Sequence, residues 1–211
     1  MNQTYERRWL RFAKGGKMKY IGHLDLLRVF QAAIRRAKLP VAYSMGFNPH
    51  LRISFAMPLP VGMESTCEYM ELLLDAPCNL MLLDKELPEG LRILEVVNIA
   101  ETAPKPAAIL AAADYRVTGI TEEAVQAVQD AKEIITMKKT KSGEKETDIR
   151  TDILDICYEP GGAAKMKLSA GSTRNLSPYL VFGQLKINSV VRTEMYASKN
   201  GMFVPLHEIA L

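Results

Sequence analysis

Cysteine, histidine, tryptophan and long apolar runs are all scarce in this chain. Its 211 residues hold three cysteines, three histidines and one tryptophan. Cys67, Cys78 and Cys157 are too few for a disulfide framework and too far apart for the close pairs of zinc or iron–sulfur sites. They are read as free thiols of a reducing, cytoplasmic compartment, and neither a metal nor a cofactor is expected. The longest apolar stretches, such as Leu80–Leu83 and Ala107–Ala113, fall far short of the roughly 20 residues that span a bilayer. The polar start Met1-Asn2-Gln3-Thr4-Tyr5-Glu6 predicts no signal peptide. Net charge is scarce too, at +3 from 27 basic and 24 acidic residues.

That small total conceals a segregation. Residues 1–60 carry 11 Lys/Arg and 2 Asp/Glu; residues 61–135 carry 5 and 14; residues 136–211 carry 11 and 8. A strongly basic first block beside an acidic second one bears on partners rather than on fold.

The pattern reads as an α+β protein. Arg7–Ala13 is a strand, Lys14-Gly15-Gly16-Lys17 a turn, and His23–Lys38 a helix with Leu24, Leu27, Phe30, Ile34 and Ala37 as its apolar stripe. Pro40 follows the helix end. Val41–Ser44, Leu51–Met57, Glu68–Leu74 and Leu91–Ile99 are strands, and Asn79–Lys85 is a short helix. Pro104 and Pro106 mark a linker, after which the pattern restarts. Asp114–Ile120 is a strand, and Thr121 caps a helix that buries Ala124, Val125, Val128, Ala131 and Ile135. Ile134–Lys141 pairs with Ile149–Tyr158 around the turn Ser142–Asp148; Ala164–Ala170 is a strand. A helix opens at Asn175 or Ser177 and runs through Leu185, and Val190–Ala197 closes the order. The economical architecture is two ferredoxin-like βαββαβ units in tandem, residues 1–103 and 107–211.

Chemistry concentrates between Lys14 and Arg52. Lys14, Lys17, Lys19, Arg28, Arg35, Arg36 and Arg52 supply cations for phosphates, and Tyr43 and Phe47, beside turn residues, are placed to stack bases. Asn48 offers an amide to a base edge or to its own turn. Gly15-Gly16-Lys17 lacks the spacing and the Ser/Thr of a P-loop, which argues against nucleotide hydrolysis. In the second half, Arg174 lies in a hydroxyl-rich strand–turn–helix stretch, Leu168–Pro178, suited to an anion. His23 and Asp25 are two apart and do not share a helical face, so His23 reads as a cap or packing residue. An alternative pairs His23 with His50 as acid and base of a metal-independent endoribonuclease. His207 carries no partner signal.

Three runs resemble a known family. They are Arg11–Asp25 (RFAKGGKMKYIGHLD), Arg35–His50 (RRAKLPVAYSMGFNPH) and Ile53–Gly62 (ISFAMPLPVG). Together they resemble the bacterial radical-SAM-associated family of unknown function, densely over residues 7–75 and again at the Leu168–Pro178 turn. In that family the domain stands alone or follows a radical SAM enzyme with a cobalamin-binding-type region. The family's usual turn continues from Phe-Asn-Pro-His into a second proline; here Leu51 stands in its place. The resemblance implies a companion to a radical SAM enzyme. The chain lacks the close cysteine triplet such an enzyme needs for its cluster, so it is not expected to start radical chemistry itself. The expectation is therefore a non-catalytic accessory protein that binds RNA or a ribonucleoprotein such as the ribosome, with a pure protein–protein adaptor as a third possibility.

Overall fold

The computed structural model describes residues 5–140, 143–183 and 185–209. The first half runs β1 (Glu6–Lys14), a 3-10 turn (Gly16–Tyr20), α1 (His23–Arg36), β2 (Ile53–Phe55), β3 (Glu64–Leu74), a second 3-10 turn (Leu80–Glu86) and β4 (Leu91–Ile99). The single-turn helix α2 (Pro106–Ile109) leads into β5 (Leu110–Thr118), α3 (Glu122–Asp130) and the strands β6 (Ile135–Thr140) and β7 (Gly143–Asp148). A 3-10 turn (Arg150–Asp152) then precedes β8 (Ile153–Glu159), β9 (Ala163–Ser169), a last 3-10 turn (Pro178–Leu180), β10 (Ser189–Lys199), β11 (Met202–Pro205) and α4 (Leu206–Ile209).

Nine strands form one mixed sheet in the order β4-β1-β3-β10-β5-β9-β8, with β2 also pairing β3 and β11 also pairing β10. In each half the strands that flank the helices follow the order fourth, first, third, second: β4-β1-β3-β2, then β10-β5-β9-β8. Neighbours within each half are antiparallel. The halves meet through a short parallel pairing, Val191 with Glu64 and Arg192 with Ser65.

Alternation on β1 explains how two cores share one sheet. Leu10 and Phe12 face α1, where Phe12, Phe30 and Phe55 pack edge to face with ring centroids 4.9–5.9 Å apart. Trp9 faces the opposite way, into a core shared with Tyr69, Tyr115 and the strands of the second half. Polar groups are enclosed at the join. The Arg192 guanidinium donates from one nitrogen to both Glu68 oxygens, at 2.9 and 3.1 Å, and from another to the Pro58 carbonyl at 3.3 Å. It also lies over the Tyr115 ring, 5.6 Å from its centre. Nearby, Arg11 donates to Glu194 at 2.9 Å, and the Tyr69 hydroxyl shares a 3.1 Å hydrogen bond with His207 Nδ1. His207, silent in the sequence, thus has a partner.

Several expectations shift. The buried face of α1 is Leu26, Phe30, Ala33 and Ile34, while Leu24 points to solvent. The helix ends in a Schellman arrangement: Leu39 N–H donates to Ile34 C=O and Lys38 N–H to Arg35 C=O, with Lys38 at φ +53°. Asn79–Lys85 and the stretch after Ser177 form 3-10 turns instead of helices, and Val41–Ser44 makes only isolated bridges. Ile135 is exposed on β6 and not on α3. β6 pairs with β7, whereas the expected partner segment becomes β8 and pairs with β9. Lys141 and Ser142 lie outside the described residues. The three cysteines are free thiols. No helix among the described residues is long and apolar enough to cross a membrane.

Candidate functional site

The segment between α1 and β2 is where aromatic and basic residues come together at the surface. Its two ends lie along β3: Ala42 N–H donates to Leu73 C=O, Leu73 N–H to Arg52 C=O, and Arg52 N–H to Ala42 C=O. Val41, Ala42 and Leu51 are buried there, which anchors both stems. A bridge between Tyr43 and Leu51 closes the loop. Within it Ser44 N–H donates to His50 C=O at 2.8 Å, and His50 N–H donates to Ser44 Oγ at 3.1 Å. His50 Nδ1 lies 3.1 Å from the same hydroxyl. Gly46 turns the tip at φ +114°, a conformation that side chains with a Cβ resist.

The loop turns its large side chains outward. Phe47 is fully exposed, Met45 is 90% exposed and Tyr43 is 45% exposed. Single exposed apolar residues are ordinary, whereas these three fall within five positions on a braced loop and form an exposed apolar patch.

Beside the loop is a cleft of about 590 Å³ between the β2–β3 edge and the linker. Its floor is an enclosed ion pair. Arg7 donates through Nε to Glu71 Oε1 at 2.8 Å, and its Nη2 makes a short hydrogen bond to the same oxygen. Arg7 Nη1 also reaches the carbonyls of Glu101, at 2.8 Å, and of Ala103. The rim carries His50, Arg52, Ser54 and Lys105, with Glu101 opposed. The Arg52 guanidinium lies over the Tyr5 ring, 4.7 Å from its centre.

The other expected site residues have different fates. Lys14 is buried; its ammonium donates to the Ile21 carbonyl at 3.0 Å, and burial pulls its pKa below the ordinary lysine value. Lys19 pairs with Glu64 at 3.1 Å, and that hydrogen bond holds its pKa above the ordinary value. Arg28 pairs with Asp25 at 2.8 Å, and Arg36 with Glu86 at 3.1 Å. Arg174 pairs with Asp152 at 2.7 Å, in the second half. Lys17 and Arg35 are exposed. Asn48 is exposed within the loop, and its carbonyl lies 3.4 Å from His50 Nδ1.

The two histidines are not brought together. His23 packs edge to face on Phe55, ring centres 5.3 Å apart, beside the aromatic core under α1. His50 lines the cleft, which opens towards Arg7 and Glu71 and which His23 does not line. Gly22, not His23, occupies the N-cap of α1.

Arg7, Glu71 and Lys105 escaped the sequence reading. One signal was available. Arg7 shares the face of β1 that buries Trp9, and Glu71 interrupts the apolar run Tyr69–Leu74. A charge placed on an inward-facing strand position requires a partner.

A family model described as "Uncharacterized protein conserved in bacteria (DUF2344)" matches residues 7–178. This covers most of the chain, including the loop and the cleft, and the chain belongs to that family. A search of curated proteins finds no match.

Proposed function

We propose that this member of the DUF2344 family is a non-catalytic accessory protein that binds RNA, alone or within a ribonucleoprotein such as the ribosome, on behalf of a radical SAM enzyme. The observation that carries the reading is the fully exposed Phe47 at the tip of a hydrogen-bonded loop, with Tyr43 at its stem and Arg52, His50 and Lys105 around the adjoining cleft. Unstacked bases gain from aromatic faces, and cations beside those faces hold the connecting phosphates. Asn48 adds an amide at the same tip. Lys17 and Arg35, both exposed, extend the positive field beyond the loop.

The radical SAM companion rests on the motif runs of the first 62 residues. The tandem ferredoxin-like description is proposed with it, supported by the repeated strand order of the two halves. The separation of His23 and His50 favours binding over the endoribonuclease alternative.

Affinity capture of the tagged chain from cells, with and without nuclease, tests the assignment. RNA recovered with the chain, together with a radical SAM enzyme whose recovery falls after nuclease, is the expected result. An enzyme partner that survives nuclease, with no RNA recovered, would make the chain an adaptor between proteins. Recovery of neither would refute the proposal.

A further inference from the structure

The second half carries an apolar groove between α3 and the segment that follows Pro178. It holds about 220 Å³, and every side chain that lines it is apolar. Val128, Val181 and Phe182 are buried members of the larger core and form its floor. Ile134 is fixed beside them, since its carbonyl accepts from Ile149 N–H at 2.9 Å. Leu185, whose N–H donates to the Phe182 carbonyl at 3.1 Å, stands at the rim with 53% of its surface exposed. Ala127, exposed on α3, lines the groove as well. It also lines a depression along the outer side of α3, beside Glu122, Glu123, Gln126 and Asp130. Glu123, Ala127 and Asp130 follow at steps of four and three, which places them on one helical face. The groove thus has an acidic bank, and no Lys or Arg occurs between Glu122 and Asp130. The lysines next to lining residues in the chain, Lys132 and Lys186, stand after the helix and on the opposite segment, so the acidic side is that of α3.

Size and charge together choose the occupant. The volume lies below the range of small-molecule pockets and suits individual side chains of a larger partner. The lining offers no polar side chain to orient a nucleotide, and the acidic bank repels a phosphate backbone. A cationic partner is drawn to the same bank. We infer that the groove docks a basic amphipathic helix of a partner protein, which lays aliphatic side chains against Phe182 and Leu185 and sets Lys or Arg beside Glu123 and Asp130. The small Ala127 lets such a helix approach α3 closely. The groove belongs to the half that does not carry the aromatic loop, so the inference goes beyond the RNA reading and does not depend on it. It also gives a role to the acidic block 61–135, whose 14 Asp/Glu against 5 Lys/Arg the RNA reading leaves unused.

The test is fluorescence anisotropy of the full chain with a labelled amphipathic helical peptide of leucine and lysine, against a leucine–glutamate peptide of the same pattern. The leucine–lysine peptide should bind, and the leucine–glutamate peptide should bind about tenfold more weakly or worse. Ala127→Arg puts bulk and like charge into the wall of the groove and should weaken the leucine–lysine peptide by about tenfold. Leu185→Ser, at a half-exposed rim position, should weaken it by about fivefold. Phe47→Ala should leave it unchanged. No binding of the leucine–lysine peptide, equal affinity for the two peptides, or an affinity that neither Ala127→Arg nor Leu185→Ser alters would overturn the inference. A loss of RNA affinity in Leu185→Ser would assign the groove to nucleic acid and overturn it as well.

Discussion

Two arginines in this molecule meet opposite fates. Arg192 sits at the join of the halves with 1% of its side chain exposed, clasped by Glu68, the Pro58 carbonyl and the Tyr115 ring. Arg52 sits at the stem of the loop, exposed, with its guanidinium over the Tyr5 ring and no ion pair among the described residues. One holds the fold together; the other is available to a partner. The same division runs through the basic block. Lys14 is enclosed, and Lys19, Arg28 and Arg36 are matched by Glu64, Asp25 and Glu86. The charge a partner meets is thus much smaller than the charge the sequence counts.

The largest effect should come from breaking the closed region. Glu68→Ala strands the Arg192 guanidinium in the interior, and a loss of about 3–5 kcal/mol in urea unfolding is expected. RNA affinity of the folded protein should not change, since neither residue lines the loop or its cleft. A loss below about 1 kcal/mol would show that water reaches the join and that the contrast is overdrawn.

The open region should respond in the opposite manner. Phe47→Ala removes a ring that touches solvent, so stability should move by no more than about 0.5 kcal/mol. RNA binding should weaken by about 1–3 kcal/mol, read by anisotropy. Unaltered binding would remove Phe47 from the interface.

Charge alone is isolated by a third comparison. Arg52→Ala should reduce the slope of log K against log salt by about 0.7, the increment for one phosphate of a single strand. Arg36→Ala, whose cation is already paired with Glu86, should leave the slope unchanged. Equal slope changes in the two variants would mean that ion pairing does not decide which cations act.

The smallest effect concerns the backbone that launches the loop. Lys38 holds φ +53° at the C-terminal end of α1, a position glycine occupies without strain. Lys38→Gly should raise stability by up to about 1 kcal/mol in thermal or urea unfolding and leave RNA affinity unchanged. Destabilisation would indicate that the lysine side chain, and not the turn, is what matters there.

Much of the frame was legible in the sequence. β4 was read to the residue, and α1 and β1 nearly so, because periodicity, Pro40 and the bulky Trp9 and Phe12 mark them. Strand partnership was less legible. β7 carries no apolar residue, and among the described residues β6 and β7 pair only with each other, so the segment expected beside β6 joins β9 instead. β11 escaped notice because its four residues gain meaning only alongside β10. Exposure of Tyr43 and Phe47 followed from the turn residues around them. The cleft did not, because Arg7, Glu71 and Lys105 lie 64 and 34 positions apart in the chain and meet only through the β1–β3 register and the returning linker.

Both halves insert a segment between helix and second strand. In the first it is the aromatic loop after α1; in the second it is the β6–β7 hairpin after α3. Photocrosslinking of bound single-stranded RNA, followed by mass spectrometry of the modified peptides, asks which of them meets nucleic acid. Crosslinks at Tyr43 and Phe47 are the predicted result. Crosslinks confined to the hairpin, with residues 43–52 unmodified, would contradict the assignment of the loop as the RNA-binding face.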